Sequence, residues 1–277
     1  MRTGAASWTA RWVAWMRALA EHLPADERLA SDPAAQGFTW RGAARASARP
    51  WLGRALVALP PLRFNVLSLQ LRTRAIDDAA RLFAARGGRQ IVLLGAGFDA
   101  RATRLELDGA RFFEVDHPAT QAAKRARAGA SPARYVAWDF EERPLSELPA
   151  ALLREGHDPA APTLTIWEGV TMYLSRHALD ASVRAVRAYC APGSELVFNY
   201  LDQRRLDRRV SGERLVVRWV GEPFRSGFAP EELAAWLQTR GFRLTSDRSY
   251  AELAAELLPR RRHRGHVDRR LALATTS

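Results

Sequence analysis

Short runs of branched apolar residues that stop at a glycine or an acid alternate along this chain with longer stretches in which apolar positions recur every three or four residues. The short runs predict strands at Gln90 to Leu94, Arg111 to Val115, Tyr135 to Trp138, Thr163 to Trp167 and Glu195 to Tyr200. The Gln90 to Leu94 run is continuous rather than alternating, the pattern of a strand covered on both faces of a parallel sheet. The longer stretches predict helices at Ala119 to Ala128, Pro144 to Glu155 and Arg176 to Tyr189, lying between successive strands. Alternation of this kind builds a parallel sheet with helices on both faces. A helix over Pro230 to Arg240, closed by Gly241, precedes two more strands at Phe242 to Thr245 and Val267 to Ala274. No clear helix joins these two, so they are expected as an antiparallel pair at one edge. The predicted class is α/β, with a mostly parallel seven-stranded sheet and an antiparallel edge strand.

Upstream, Trp8, Trp12, Trp15 and Leu19 give residues 7 to 22 a helical spacing, read as core or cap packing. Pro24 and Pro33 interrupt it, and Phe38, Trp40, Trp51 and Leu52 fall in a loop-like segment around Pro50. A long helical pattern then runs from Phe64 to about Arg86 and stops at Gly87-Gly88. Residues 1 to 64 are thus expected as an N-terminal helical cap or lid, and residues 65 to 277 as the main domain. Within it, residues 201 to 228 break the rhythm and are read as an insertion over the active site.

Composition changes this picture little. At 277 residues with 47% hydrophobic content, the chain suits one large domain or a domain plus a cap. No run approaches the roughly 18 to 20 apolar residues of a membrane span, and the N-terminus lacks a signal-peptide pattern. Cytoplasmic residence and no membrane partner are expected. The single Cys190 allows no internal disulfide. A net charge of +12 ordinarily suggests a polyanionic partner. Here 41 of the 42 basic residues are arginines spread over the full length, so nucleic acid is not the expected partner; the run Arg260 to Arg264 is the one local cluster.

Chemistry concentrates at Gln90 to Pro118. Gly95-Ala96-Gly97 after the first strand lets a ligand approach the backbone, and Asp116 at the end of the second is suited to ribose hydroxyls. Gly95-x-Gly97-x-x-Ala100 also fits a form of the dinucleotide fingerprint, which keeps a nicotinamide oxidoreductase open. That reading needs a helix opening directly at the second glycine, and Asp99 in the turn would repel a pyrophosphate. No HxH, HExxH or cysteine cluster suggests a metal.

QIVLLGAGFDARATRL, FFEVDHP, YVAWDF and WEGVTMYL, preceded by LRTRAIDD, stand in the order and approximate spacing of a known family. The chain resembles the leucine carboxyl methyltransferase-like S-adenosylmethionine-dependent O-methyltransferases, from about Leu71 to Tyr200. The resemblance implies a Rossmann-like class I methyltransferase fold, S-adenosyl-L-methionine as cofactor, and a small-molecule acceptor oxygen, a carboxylate or a polyketide-like metabolite. It implies Asp116 on the ribose, Asp139 and Phe140 at the adenine, and Gly95 and Gly97 beside the methionine moiety. Arg72 or Arg74 would bind its carboxylate, unless both form helix-surface pairs with Asp77 or Asp78; Glu168 would lie beside the ammonium or sulfonium. His117 and His177 are read as structural, and substrate orientation is expected in place of a dedicated base. Arg41, Arg218 and Arg225 are candidate cations for the acceptor.

Overall fold

The computed structural model describes residues 8–129, 131–140, 142–204, 224–258 and 265–276. Among the described residues, four helices precede the sheet: α1 (Trp8–Ala20), α2 (Arg41–Ser47), α3 (Pro50–Ala58) and α4 (Pro60–Ala85), with a 3-10 turn at Pro33–Phe38. The segment expected to be loop-like is therefore mostly helical. Prolines explain this, because Pro33, Pro50 and Pro60 each stand at the start of a helix, where a missing N–H costs nothing.

The sheet follows as β1 (Gln90–Leu94), β2 (Arg111–Asp116), β3 (Arg134–Ala137), β4 (Thr163–Trp167), β5 (Glu195–Leu201), β6 (Phe242–Ser249) and β7 (Arg269–Thr276). Between them run α5 (Arg101–Arg104), α6 (Pro118–Ala128), α7 (Leu148–Arg154), α8 (Arg176–Tyr189), α9 (Pro230–Gln238) and α10 (Tyr250–Leu257). Strand order is β3-β2-β1-β4-β5-β7-β6. The first five strands are parallel, and β7 is antiparallel to both β5 and β6. The antiparallel strand thus lies one place in from the edge. A helix does join the last two strands: α10 starts in a reciprocal capping box between Ser249 and Glu252.

Successive strand residues face opposite sides, so Ile91 and Leu93 join α1, α4 and α10 in one core while Val92 and Leu94 join α7, α8 and α9 in the other. Met16 and Leu19 of α1 belong to the first core, so the cap shares its apolar interior with the sheet. Residues 205–223 of the expected insertion, with Leu215 to Val217, Arg218 and Trp219, lie outside the described residues, as does Arg260 to Arg264. Among the described residues no helix is long and apolar enough to cross a membrane.

Candidate functional site

Strand order reverses at β1, which has β2 on one side and β4 on the other, and this is where open α/β sheets hold ligands. Gly95 and Gly97 leave β1 with φ of 72° and 52°, the left-handed region that glycine tolerates. Gly95 has a second reason, since a Cβ there would come within 2.7 Å of Val170 Cγ2. The Gly95 and Ala96 N–H groups donate to Val115 O at 2.8 and 3.1 Å, folding the turn over the end of β2.

Asp116 accepts the Gly97 N–H on one carboxylate oxygen and the His117 N–H on the other, at 2.6 Å. Burial pushes its carboxyl above the ordinary value, and these two bonds oppose the shift. His117 Nδ1 accepts from Ala119 N at 3.1 Å, capping α6. The ring proton accordingly belongs on Nε2, 3.2 Å from Asp139 Oδ2. One histidine therefore ties the end of β2 to Asp139, beside the partly exposed Phe140.

At the end of β4, Glu168 is buried among three arginines. Arg72 donates from Nε at 2.8 Å, Arg17 from Nη2 at 3.2 Å and Arg101 from Nη1 at 2.5 Å. Burial alone would raise the Glu168 carboxyl, but Arg101, Arg72 and Arg17 outweigh it and hold it well below the carboxylate range. Arg101 also pairs with Asp99 and with Asp77, and Arg104 with Asp77. Arg17 Nη1 lies 3.8 Å from Asp32. Four arginines and four acids thus balance where the cap, α4 and the ends of the strands meet. Arg17 Nε, Arg101 Nη2, Arg104 Nε and both Asp32 carboxylate oxygens are buried without a hydrogen-bond partner.

The sequence-predicted residues separate here. Gly95, Gly97 and Asp116 converge, Asp139 joins them through His117, and Arg72 meets Glu168. Arg74 instead pairs with Asp78 four residues on, at 2.7 Å and partly exposed. Arg17 and Arg101 had no assigned role. Arg17 carried a sequence signal, a cation inside the buried stripe Met16 to Ala20 of α1. The turn after Gly97 runs to Ala100 before the one-turn α5 opens at Arg101, so the helix directly at the second glycine that the nicotinamide reading requires is not formed. The cap closes from above: Phe38 stacks on Phe98 at 4.9 Å, and Ala10 lies against Gly97.

This fold matches the crystal structure of a protein from Streptomyces avermitilis with a TM-score of 0.65 at 16% identity, covering 98% of both chains. A second match, from Thermobifida fusca, has a TM-score of 0.61 at 20% identity over 100% of this chain and 97% of the other. Fold and relatives define an S-adenosyl-L-methionine-dependent methyltransferase of class I architecture. A relative from Streptomyces avermitilis, assigned as such a methyltransferase, is 33% identical over 249 residues, 86% of this chain and 83% of its own. Another from Streptomyces coelicolor is 32% identical over 84% of this chain and 82% of its own. Residues 10–187 match the leucine carboxyl methyltransferase family, and the chain belongs to that family.

Proposed function

We propose that the chain is an O-methyltransferase whose acceptor is a carboxylate of a small molecule, with polyketide-like acids among the candidates. The observation that carries this reading is the state of Glu168. Three arginines occupy its carboxylate, and each is already protonated, so none can take a proton from an acceptor. His117 is engaged with Ala119 and Asp139, and His177 is exposed in the first turn of α8. A carboxylate, with a pKa near 4, needs no base at neutral pH, whereas a phenol near 10 does.

The cofactor's contribution is an electrophilic methyl group on a sulfonium centre. We assign Asp116 to the ribose, Asp139 and Phe140 to the adenine, Gly95 and Gly97 to the methionine backbone, and Arg72 with Glu168 to its amino-acid end. The unpartnered Arg17, Arg101 and Asp32 atoms support this, because a zwitterion offers both charges and leaves the balance of the cluster intact. Arg74, engaged with Asp78, is left out of the set. Arg225 is the assigned cation for the acceptor: its side chain is exposed, and its backbone N–H donates to Met172 O at 2.7 Å, in the 3-10 turn Thr171–Tyr173 that follows Glu168. The residues of the site then act by holding the two reactants in line and excluding water. Within the cap, α1 and the 3-10 turn Pro33–Phe38 serve as the lid over the cofactor half of the site.

Incubation with methyl-labelled S-adenosylmethionine and a library of small acids and phenols tests the acceptor class. Label released as volatile methanol by mild alkali identifies a methyl ester; label that survives identifies an ether or amine and overturns the carboxylate reading.

A further inference from the structure

Residues 33–76 contain seven arginines and no aspartate or glutamate, although acids number 30 in the whole chain. Three of these arginines are neutralised from elsewhere, Arg63 by Glu27, Arg72 by Glu168 and Arg74 by Asp78. The other four, Arg41 and Arg45 on α2, Arg49 in the connection to α3 and Arg54 on α3, are exposed and have no carboxylate partner among the described residues. On α3 the exposed positions Trp51, Arg54, Ala55 and Ala58 share one face at spacings of three and four, and Gly53 and Val57 turn inward. Trp51 is 66% exposed and Leu59, just after the helix, 51%. A large aromatic standing out of a soluble surface beside unpaired cations is the pattern of an interfacial anchor.

We propose that the α2–α3 face docks on an anionic lipid surface, with Trp51 and Leu59 entering the headgroup region and Arg41, Arg45, Arg49 and Arg54 binding lipid phosphates. This departs from the expectation of no membrane partner, which rested on the lack of a spanning segment. Charge complementarity selects the occupant. A second copy docked face to face would set the four arginines against their own kind. A nucleic acid would satisfy the arginines and make no use of Leu59. An anionic bilayer meets both the charge and the apolar anchors.

The test is flotation of the full-length protein with vesicles of phosphatidylglycerol and phosphatidylcholine, compared with phosphatidylcholine alone. Binding is expected only with the anionic lipid, weakening as salt rises. Each arginine contributes about a fivefold change in partitioning. The triple variant R45Q/R49Q/R54Q should therefore lose about a hundredfold, and W51A severalfold, both keeping wild-type cofactor affinity as evidence of folding. R243Q, which removes an exposed arginine on β6, should bind as wild type. Failure to float with anionic vesicles, or flotation unchanged in the triple variant and in W51A, overturns the proposal. So does DNA or acidic-peptide binding tighter than vesicle binding and indifferent to W51A.

Discussion

At the residue scale, Asp116 and Glu168 do opposite work with the same functional group. Asp116 is held by two backbone N–H groups, and its removal should take away charge-assisted hydrogen bonds worth about 1.5–3 kcal/mol, or roughly 10- to 100-fold in the dissociation constant. Calorimetry of Asp116→Ala with S-adenosylhomocysteine reads this directly, and an unchanged constant would remove Asp116 from the ribose. Glu168→Gln should be costlier to the fold than to any one ligand, because it leaves three buried arginines short of their acid. Breaking a buried pair costs about 3–5 kcal/mol, so the urea midpoint should drop sharply; a shift within error would mean the arginines find water. The positions of Asp116 and Glu168 at strand ends were legible because each closes a short apolar run that a parallel sheet buries. The pairing of Arg17 and Arg101 with Glu168 was not, since that acid lies 151 and 67 residues away in sequence: the apolar setting of Arg17 marks a buried cation, but nothing local names the acid it meets.

Among elements, β1, β4 and α8 could be read to the residue because each has enough repeats of its period and a clear stop. The elements missed were short. The helices α2, α3 and α10 span seven, nine and eight residues, about two turns, too few for a 3.6-residue period to stand out. For α10 the useful sign was chemical: Ser249 followed three residues later by Glu252. The Ser249 side chain accepts from Glu252 N at 3.2 Å, and Ser249→Ala should cost about 1 kcal/mol of stability. Thermal unfolding checks it, and no loss would mean that α10 is held by Tyr250 and Leu253 in the core alone.

For the whole molecule, two buried groups oppose each other in pH. Burial pushes the Glu114 carboxyl up to about 7, against the pull of Lys124, so the folded state holds a proton there that the unfolded chain releases. Its contribution to stability is complete below about pH 4.5 and is lost as pH rises through about 7. Burial, reinforced by Arg111, lowers His157 to about 4, so its contribution is present above pH 6.5 and lost as pH falls toward 4. Each amounts to roughly 3 kcal/mol at full titration, and together they should nearly cancel. Relative to wild type, Glu114→Gln should make stability rise with pH between about 5 and 7, and His157→Gln should make it fall; parallel curves would show that neither group titrates differently on folding. If the acceptor is the proposed carboxylate, catalysis should show no such compensation, because an acceptor already ionised at neutral pH has no proton to give up. Turnover of the identified acceptor, measured from pH 6 to 9 on wild type and on His117→Ala and His177→Ala, tests this most directly. A nearly flat profile with most activity kept in both variants is expected. A rate that climbs tenfold per pH unit and collapses on loss of one histidine would contradict transfer to a carboxylate.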